Sequence, residues 1–159
     1  MLRRVTLLAA MVAVMAMVAA GAAWAATVNG TNGPDNLVGT NSEDTMRGFG
    51  GADTIDALAD DDLVFGGSGA DTIFGRGGED ELYGGAGNDE VRGGGDSDYI
   101  EGGTGDDFLY GGADDDFIWA IDDEEGNDFV NGGAGDDDEC WIDDDDEAIN
   151  CEFINGVAV

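Results

Sequence analysis

From Gly30 to Trp119 the chain divides into ten consecutive nonapeptides, and after three inserted residues, Ala120 to Asp122, two more run from Asp123 to Cys140. The sixth position is aspartate in every one: Asp35, Asp44, Asp53, Asp62, Asp71, Asp80, Asp89, Asp98, Asp107, Asp116, Asp128 and Asp137. A carboxylate is a hard, charged oxygen ligand, and here most follow a glycine-rich stretch able to turn tightly and leave carbonyl oxygens uncovered. That combination suits a hard cation. Acid and base catalysis by paired carboxylates is the competing chemistry. Against it, the chain has no histidine and no lysine, so no Ser-His-Asp or Cys-His arrangement can form. Repetition at a fixed period also favours ion ligation over a single reaction centre, and the expectation is a protein that is not an enzyme.

The elements that would hold these carboxylates follow from the same period. Position eight is apolar in all repeats but the last: Leu37, Met46, Ile55, Val64, Ile73, Leu82, Val91, Ile100, Leu109, Ile118 and Val130, with Glu139 the exception. Position one is usually glycine, and so is position four. Each repeat therefore reads as a turn followed by a very short strand, position eight pointing inward and positions seven and nine outward. Two repeats complete one coil, with ladder hydrogen bonds running from coil to coil. The expected fold is all-β, a right-handed parallel β-roll or two-sheet β-solenoid, with a small C-terminal cap.

The segments GGSGADTIF (66–74), GGAGNDEVR (84–92) and GGTGDDFLY (102–110) follow G-G-x-G-x-D-x-U-x. In this the chain resembles the RTX, or haemolysin-type calcium-binding repeat, family over residues 30–140. The resemblance implies a parallel β-roll with Ca²⁺ held between neighbouring turns on each edge. The twelve position-six aspartates and the carbonyls of the glycine-rich loops would be the ligands, for about ten ions. Some turns depart from the pattern. The repeat ALADDDLVF (57–65) lacks loop glycines and carries Asp60 at position four, where Asp96 and Asp114 stand in their repeats, and Ser42 stands in the 39–47 repeat. Most relatives also carry a large toxin or enzyme domain and a C-terminal export signal, in place of which this chain has an N-terminal signal.

Charge sets how such a chain can behave. Against 37 acidic residues stand five arginines, for a net charge of -32. Nucleic acid and anionic membranes are excluded as partners by like charge, and calcium ions are the expected partner. Acidity with 29 glycines would ordinarily mean disorder. Ions bound in the turns would relieve that repulsion, so the expectation is a disordered chain at low calcium that folds on binding Ca²⁺ outside the cytoplasm.

The ends differ from the middle. Arg3 and Arg4 precede an apolar run from Val5 to Ala20, and Ala23, Trp24 and Ala25 form an A-x-A pattern. Residues 1–25 read as a signal peptide cut after Ala25, giving a secreted chain; an uncleaved anchor helix is the alternative. Without those two arginines, 37 acidic face 3 basic residues and the charge becomes -34. Cys140 and Cys151 suggest one disulfide in an oxidising compartment. Residues 26–140 would form the roll, and 141–159 a disulfide-closed cap, its run Asp143 to Asp146 a solvated loop or a further metal site. Outward aromatics, Phe65, Tyr83, Tyr99, Phe117 and Trp119 on one sheet and Phe74, Phe108, Tyr110 and Phe129 on the other, leave open an adhesin role with a cell-surface, glycan or self-association partner.

Overall fold

The computed structural model describes residues 24–122 and 128–159. All but the last residues of the expected signal peptide, and residues 123–127, lie outside the described residues. Regular structure among the described residues is entirely β, in two sheets that alternate along the chain. One sheet stacks β1 (Thr27–Asn29), β3 (Thr45–Gly50), β5 (Leu63–Ser68), β7 (Glu81–Ala86), β9 (Tyr99–Thr104), β11 (Phe117–Trp119), β13 (Glu139–Trp141), β15 (Phe153–Ile154) and β16 (Val157–Ala158). The other stacks β2 (Asn36–Val38), β4 (Thr54–Asp56), β6 (Thr72–Gly77), β8 (Glu90–Gly95), β10 (Phe108–Ala113), β12 (Phe129–Ala134) and β14 (Glu147–Ile149). Neighbours pair in parallel, one coil apart, as in Val64↔Leu82↔Ile100 and Ile73↔Val91↔Leu109. The parallel two-sheet β-solenoid expected from the nine-residue period is therefore the fold, with about seven turns.

A parallel stack this narrow admits one inward aliphatic per half-turn. Leu37, Ile55, Ile73, Val91, Leu109 and Val130 come from one sheet, and Val28, Met46, Val64, Leu82, Ile100 and Ile118 from the other. All are buried, and each contributes ~1.5–3 kcal/mol. Many strands are longer than the repeat suggested, because the extended backbone continues past position nine into the next glycines. In β7, ELYGGA, the alternation carries on so that Gly84, at position one of its repeat, also faces inward.

The register differs from expectation at three places. In the twelfth repeat β13 pairs Ile118 with Cys140 and Phe117 with Glu139, so Cys140 is the inward residue and Glu139 faces outward. The repeat carries one extra residue in its turn, which removes the apparent exception at position eight. Second, Ala120 is buried, and its N–H donates to the Trp141 carbonyl at 2.8 Å, as Gly39 donates to Asp56. Ala120 thus occupies position one, and the extra residues lie inside the following turn rather than before it. Third, the tail does not leave the coil at residue 141. β14 pairs with β12 and β15 with β13, adding two shortened half-turns before the antiparallel β15–β16 hairpin closes the sheet. Asn155 and Gly156, with φ of 51° and 72°, make that two-residue turn. The Cys140–Cys151 disulfide is present and ties this last coil together.

Outside the coil the aromatics form ladders. Phe65 and Tyr83 stack with centroids 5.0 Å apart, Tyr99 and Phe117 at 5.4 Å, and Trp119 and Trp141 at 5.6 Å. Arg47 lies over Phe65, and Arg92 over Phe74 and Tyr110. Ring faces are spent on one another, so the ladders shield the sheets and reinforce the stacking direction.

The register makes a prediction. Glu139→Ala, which loses one partly exposed hydrogen bond to the Trp141 indole, is expected to cost no more than ~1 kcal/mol. Leu109→Ala, in the core column, should cost ~2–5 kcal/mol. Urea unfolding in calcium measures both, and comparable losses would contradict the register.

Candidate metal centres on the two edges

Apart from Asp137, each position-six aspartate sits where a turn enters a strand, with its side chain folded back into the coil. Asp44, Asp53, Asp62, Asp71, Asp80, Asp89, Asp98, Asp107, Asp116 and Asp128 are all buried. From Asp53 on, their Oδ1 atoms accept the backbone N–H of the aspartate one coil earlier, while Asp44 Oδ1 accepts that of Ala26 at 2.6 Å. On one edge Asp44, Asp62, Asp80 and Asp98 donate in turn to Asp62, Asp80, Asp98 and Asp116 at 2.7–3.0 Å. On the other, Asp35, Asp53, Asp71, Asp89 and Asp107 donate to Asp53, Asp71, Asp89, Asp107 and Asp128 at 2.7–2.8 Å. One carboxylate oxygen per half-turn is thus part of the ladder that joins the coils.

The other oxygen is left over. Oδ2 of Asp53, Asp62, Asp71, Asp80, Asp89, Asp98, Asp107, Asp116 and Asp138 is buried without a hydrogen-bond partner. Leaving one ionised oxygen in that condition costs several kcal/mol, and here the condition recurs along both edges. Other acceptors converge on it. A Cβ added at Gly66 would lie 2.6 Å from Asp71 Oδ2 and 2.5 Å from the Gly84 carbonyl oxygen; at Gly84 it would lie 2.7 Å from Asp89 Oδ2 and 2.5 Å from the Gly102 oxygen. Position one is glycine because a carboxylate oxygen and a carbonyl oxygen of the next coil share that space. Converging oxygens with no donor between them fit a hard cation. Among the described residues no group of three or more acidic or sulfur side chains converges, so carbonyl oxygens would complete each shell.

Backbone conformation marks the same turns. Position two takes positive φ at Phe49 (75°), Leu58 (90°) and Arg76 (87°), which glycine would adopt without cost. Such strain persists only where the surroundings impose it, commonly at ligand sites. Position four does likewise, and Asp60, Asp96 and Asp114 take φ of 75°, 69° and 69° there, like the glycines of other turns. Aspartate is among the side chains that tolerate this region best, so those repeats keep the turn. In the 57–65 repeat Ala57 replaces the position-one glycine, and its real Cβ narrows the space beside Asp62.

The expected ligands do not all fall together. Asp137 is exposed, and the neighbouring Asp138 takes the ladder place, its Oδ1 accepting from Asp116 N–H at 2.9 Å. The cause is the extra residue in that turn; in a run of three aspartates the nine-residue count picks the wrong one. Asp35 and Asp44 are in the ladders, but their Oδ2 atoms bond to Thr31 and Thr40. Two acids not singled out by the period extend the ladders: Asp146 accepts from Asp128 N–H and Glu152 from Asp138 N–H, each at 3.0 Å. Of the run Asp143 to Asp146, Asp146 continues the position-six ladder, and Asp143 Oδ2 accepts the Asp122 N–H of the preceding coil at 3.2 Å.

Burial pushes the Asp62, Asp89, Asp116 and Asp128 carboxyls up to about 7, Asp98 to about 8, and Asp80 and Asp107 to about 6. Asp53, Asp71 and Asp138 are raised as well. Desolvation leads in each case; the backbone N–H opposes it and neighbouring carboxylates add to it.

A family model described as RTX calcium-binding nonapeptide repeat matches residues 29–64, 57–91, 65–100, 92–120 and 121–138. No curated protein matches the chain as a relative.

The raised values set a pH dependence for the metal-free coil. A carboxyl that holds its proton more tightly folded than unfolded favours folding at low pH, and that support is lost as pH climbs from about 4 to about 8. In calcium-free buffer, far-UV circular dichroism is expected to gain β signal on acidification from pH 8 to pH 4. With calcium present the signal should persist at pH 8. A calcium-free spectrum that does not change with pH would rule the effect out.

Proposed function

The chain belongs to the family of RTX calcium-binding nonapeptide repeats, and on that premise we propose that it is an exported calcium-binding protein whose solenoid forms when Ca²⁺ fills the turns. The row of buried Oδ2 atoms without partners carries this reading. Each Ca²⁺ cancels two negative charges in a chain of net charge -32, and replaces the missing donor at an ionised, desolvated oxygen. The ladder aspartates Asp53, Asp62, Asp71, Asp80, Asp89, Asp98, Asp107, Asp116, Asp128 and Asp138 would hold the ions together with position-one carbonyls such as those of Gly66, Gly84 and Gly102. What the ion supplies is structural: it binds, and the coil around it orders.

Export rests on the N-terminal pattern of residues 1–25 and on the disulfide, which suits an oxidising compartment. Repeats of this family are typically extracellular. There calcium is abundant, whereas a low-calcium cytoplasm would leave the chain unfolded and ready for transport. We assign no catalytic role, since every buried acid is accounted for by the ladders or their continuation. The adhesin alternative gains less support, because the aromatic faces are engaged with each other rather than offered to a ligand.

Ca²⁺ at about tenfold above a millimolar site should convert a disordered spectrum in EGTA to a β spectrum. Mg²⁺ should substitute poorly because it demands a smaller octahedral shell. Asp71→Asn with Asp89→Asn should raise the calcium midpoint several-fold, each loss removing a charged ligand. Identical circular dichroism with EGTA and with calcium would overturn the proposal.

A further inference from the structure

The first two turns differ from those that follow. In the 30–38 repeat the Thr31 N–H donates to Asp35 Oδ2 at 2.5 Å and its hydroxyl reaches the same oxygen at 2.9 Å. In the 39–47 repeat the Thr40 N–H donates to Asp44 Oδ2 at 2.5 Å, and its hydroxyl lies 3.2 Å from Oδ1. Both hydroxyls also stand 3.3 Å from a carbonyl of the same turn, Gly33 in one and Ser42 in the other. Asp35 and Asp44 accordingly do not share the unpartnered oxygen found from Asp53 onward.

Backbone conformation gives an independent sign of the same division. From the 48–56 repeat to the 111–119 repeat, positions two and four have positive φ, even where the residue is Phe49, Arg76 or Asp96. Thr31, Gly33, Thr40 and Ser42 do not. The chain therefore has two kinds of turn. In one the position-two amide points away from the carboxylate and the oxygen is left for a cation. In the other that amide donates to Oδ2, joined there by the Thr31 hydroxyl in the first turn, while in the second the Thr40 hydroxyl lies on Oδ1.

We infer that Thr31 and Thr40 replace calcium in the first two turns, so that Asp35 and Asp44 bind no ion and these turns form an ion-free N-terminal cap, the first cation lying at the level of Asp53 or Asp62. The inference rests on the calcium reading and narrows it. An N–H donor and a cation compete for one oxygen, and a positive end of the N–H dipole beside Oδ2 repels the ion that would need its place. A solenoid needs a first coil that does not depend on a preceding neighbour. Here the two threonines supply donors to Asp35 and Asp44 from within their own repeats, and the Ala26 N–H, 2.6 Å from Asp44 Oδ1, completes the second carboxylate.

Equilibrium dialysis of the purified chain against saturating ⁴⁵Ca²⁺ tests this, with circular dichroism as the check on folding. Asp35→Asn with Asp44→Asn is expected to leave the number of bound ions unchanged. Asp71→Asn with Asp80→Asn, the matched control, should lose ions. Equal losses from the two pairs would overturn the inference and leave the calcium reading intact, whereas no bound calcium in the unsubstituted chain would sink both. Because the Asp35/Asp44 variant could unfold, anomalous diffraction from crystals of the unsubstituted chain grown in calcium supplies the second measurement. Ions beside Asp71 and Asp80, with the Thr31 and Thr40 amides still on their carboxylates, support the assignment; an ion on Asp35 or Asp44 refutes it.

Discussion

A carboxylate divided between two tasks governs this molecule. One oxygen of each ladder aspartate accepts a backbone N–H from the preceding coil, as Asp89 accepts from Asp71 at 2.7 Å, and so takes part in holding the stack. The same geometry buries its second oxygen with no donor. From Asp53 to Asp116 the stack gains the first interaction only together with the second, and with no donor in reach the cost of the second is removed by a proton or a cation. Proton and cation are thus alternatives at the same atoms. The raised Asp98 carboxyl, about 8, expresses the same electrostatic deficit that a divalent ion would fill.

The rest of the architecture has little capacity to absorb that deficit. A single column of aliphatic side chains from each sheet, Leu37 to Val130 on one and Val28 to Ile118 on the other, is the whole hydrophobic interior apart from small residues and the cystine. Cation–π contacts of Arg47 and Arg92 with the outer aromatics and the Arg76–Asp56 ion pair at 2.9 Å are exposed and contribute modestly. Ion binding at the edges, as proposed, would therefore contribute to the scaffold itself. Strained residues such as Leu58, held at φ 90°, fit the same view, since the turn shape is set by the site and not by the preference of the residue occupying it.

Period nine made the main fold legible. An apolar residue two places after each aspartate implied inward and outward faces, and a strict repeat implied parallel pairing one coil apart; Leu82 beside Ile100 is the outcome. What escaped was whatever lengthens or shortens a turn without breaking the coil. Turns are surface segments and tolerate insertion, so counting by nine fails where the strand pairing does not. Asp137 was favoured over Asp138 for this reason, although the inward requirement at Cys140 was the signal that could have corrected it. Asp146 and Glu152 belong to abbreviated half-turns without glycines, where only the pairing of Ala148 with Val130 and Ile154 with Cys140 reveals the continuity. The Asn155-Gly156 pair between short apolar stretches was a readable hairpin signal.

The two ends of the ladders are resolved by different chemistry, and the difference follows from what each end lacks. At the C-terminal end the last ladder N–H groups need acceptors, and Asp146 and Glu152 provide carboxylates from shortened half-turns. The antiparallel β16 then covers an edge that would otherwise pair with another chain, and the disulfide fastens that closure to the core column through Cys140. At the N-terminal end the carboxylates are present and donors are needed, which Thr31 and Thr40 supply from position two. From Asp53 to Asp116 neither remedy is used: Oδ2 has no donor among the described residues, position-one glycines such as Gly66 and Gly84 keep the space open, and the deficit of positive charge repeats coil after coil. An interior that leaves the same oxygen unpaired from Asp53 to Asp116, flanked by ends that do not, is the arrangement that the proposed row of ions requires.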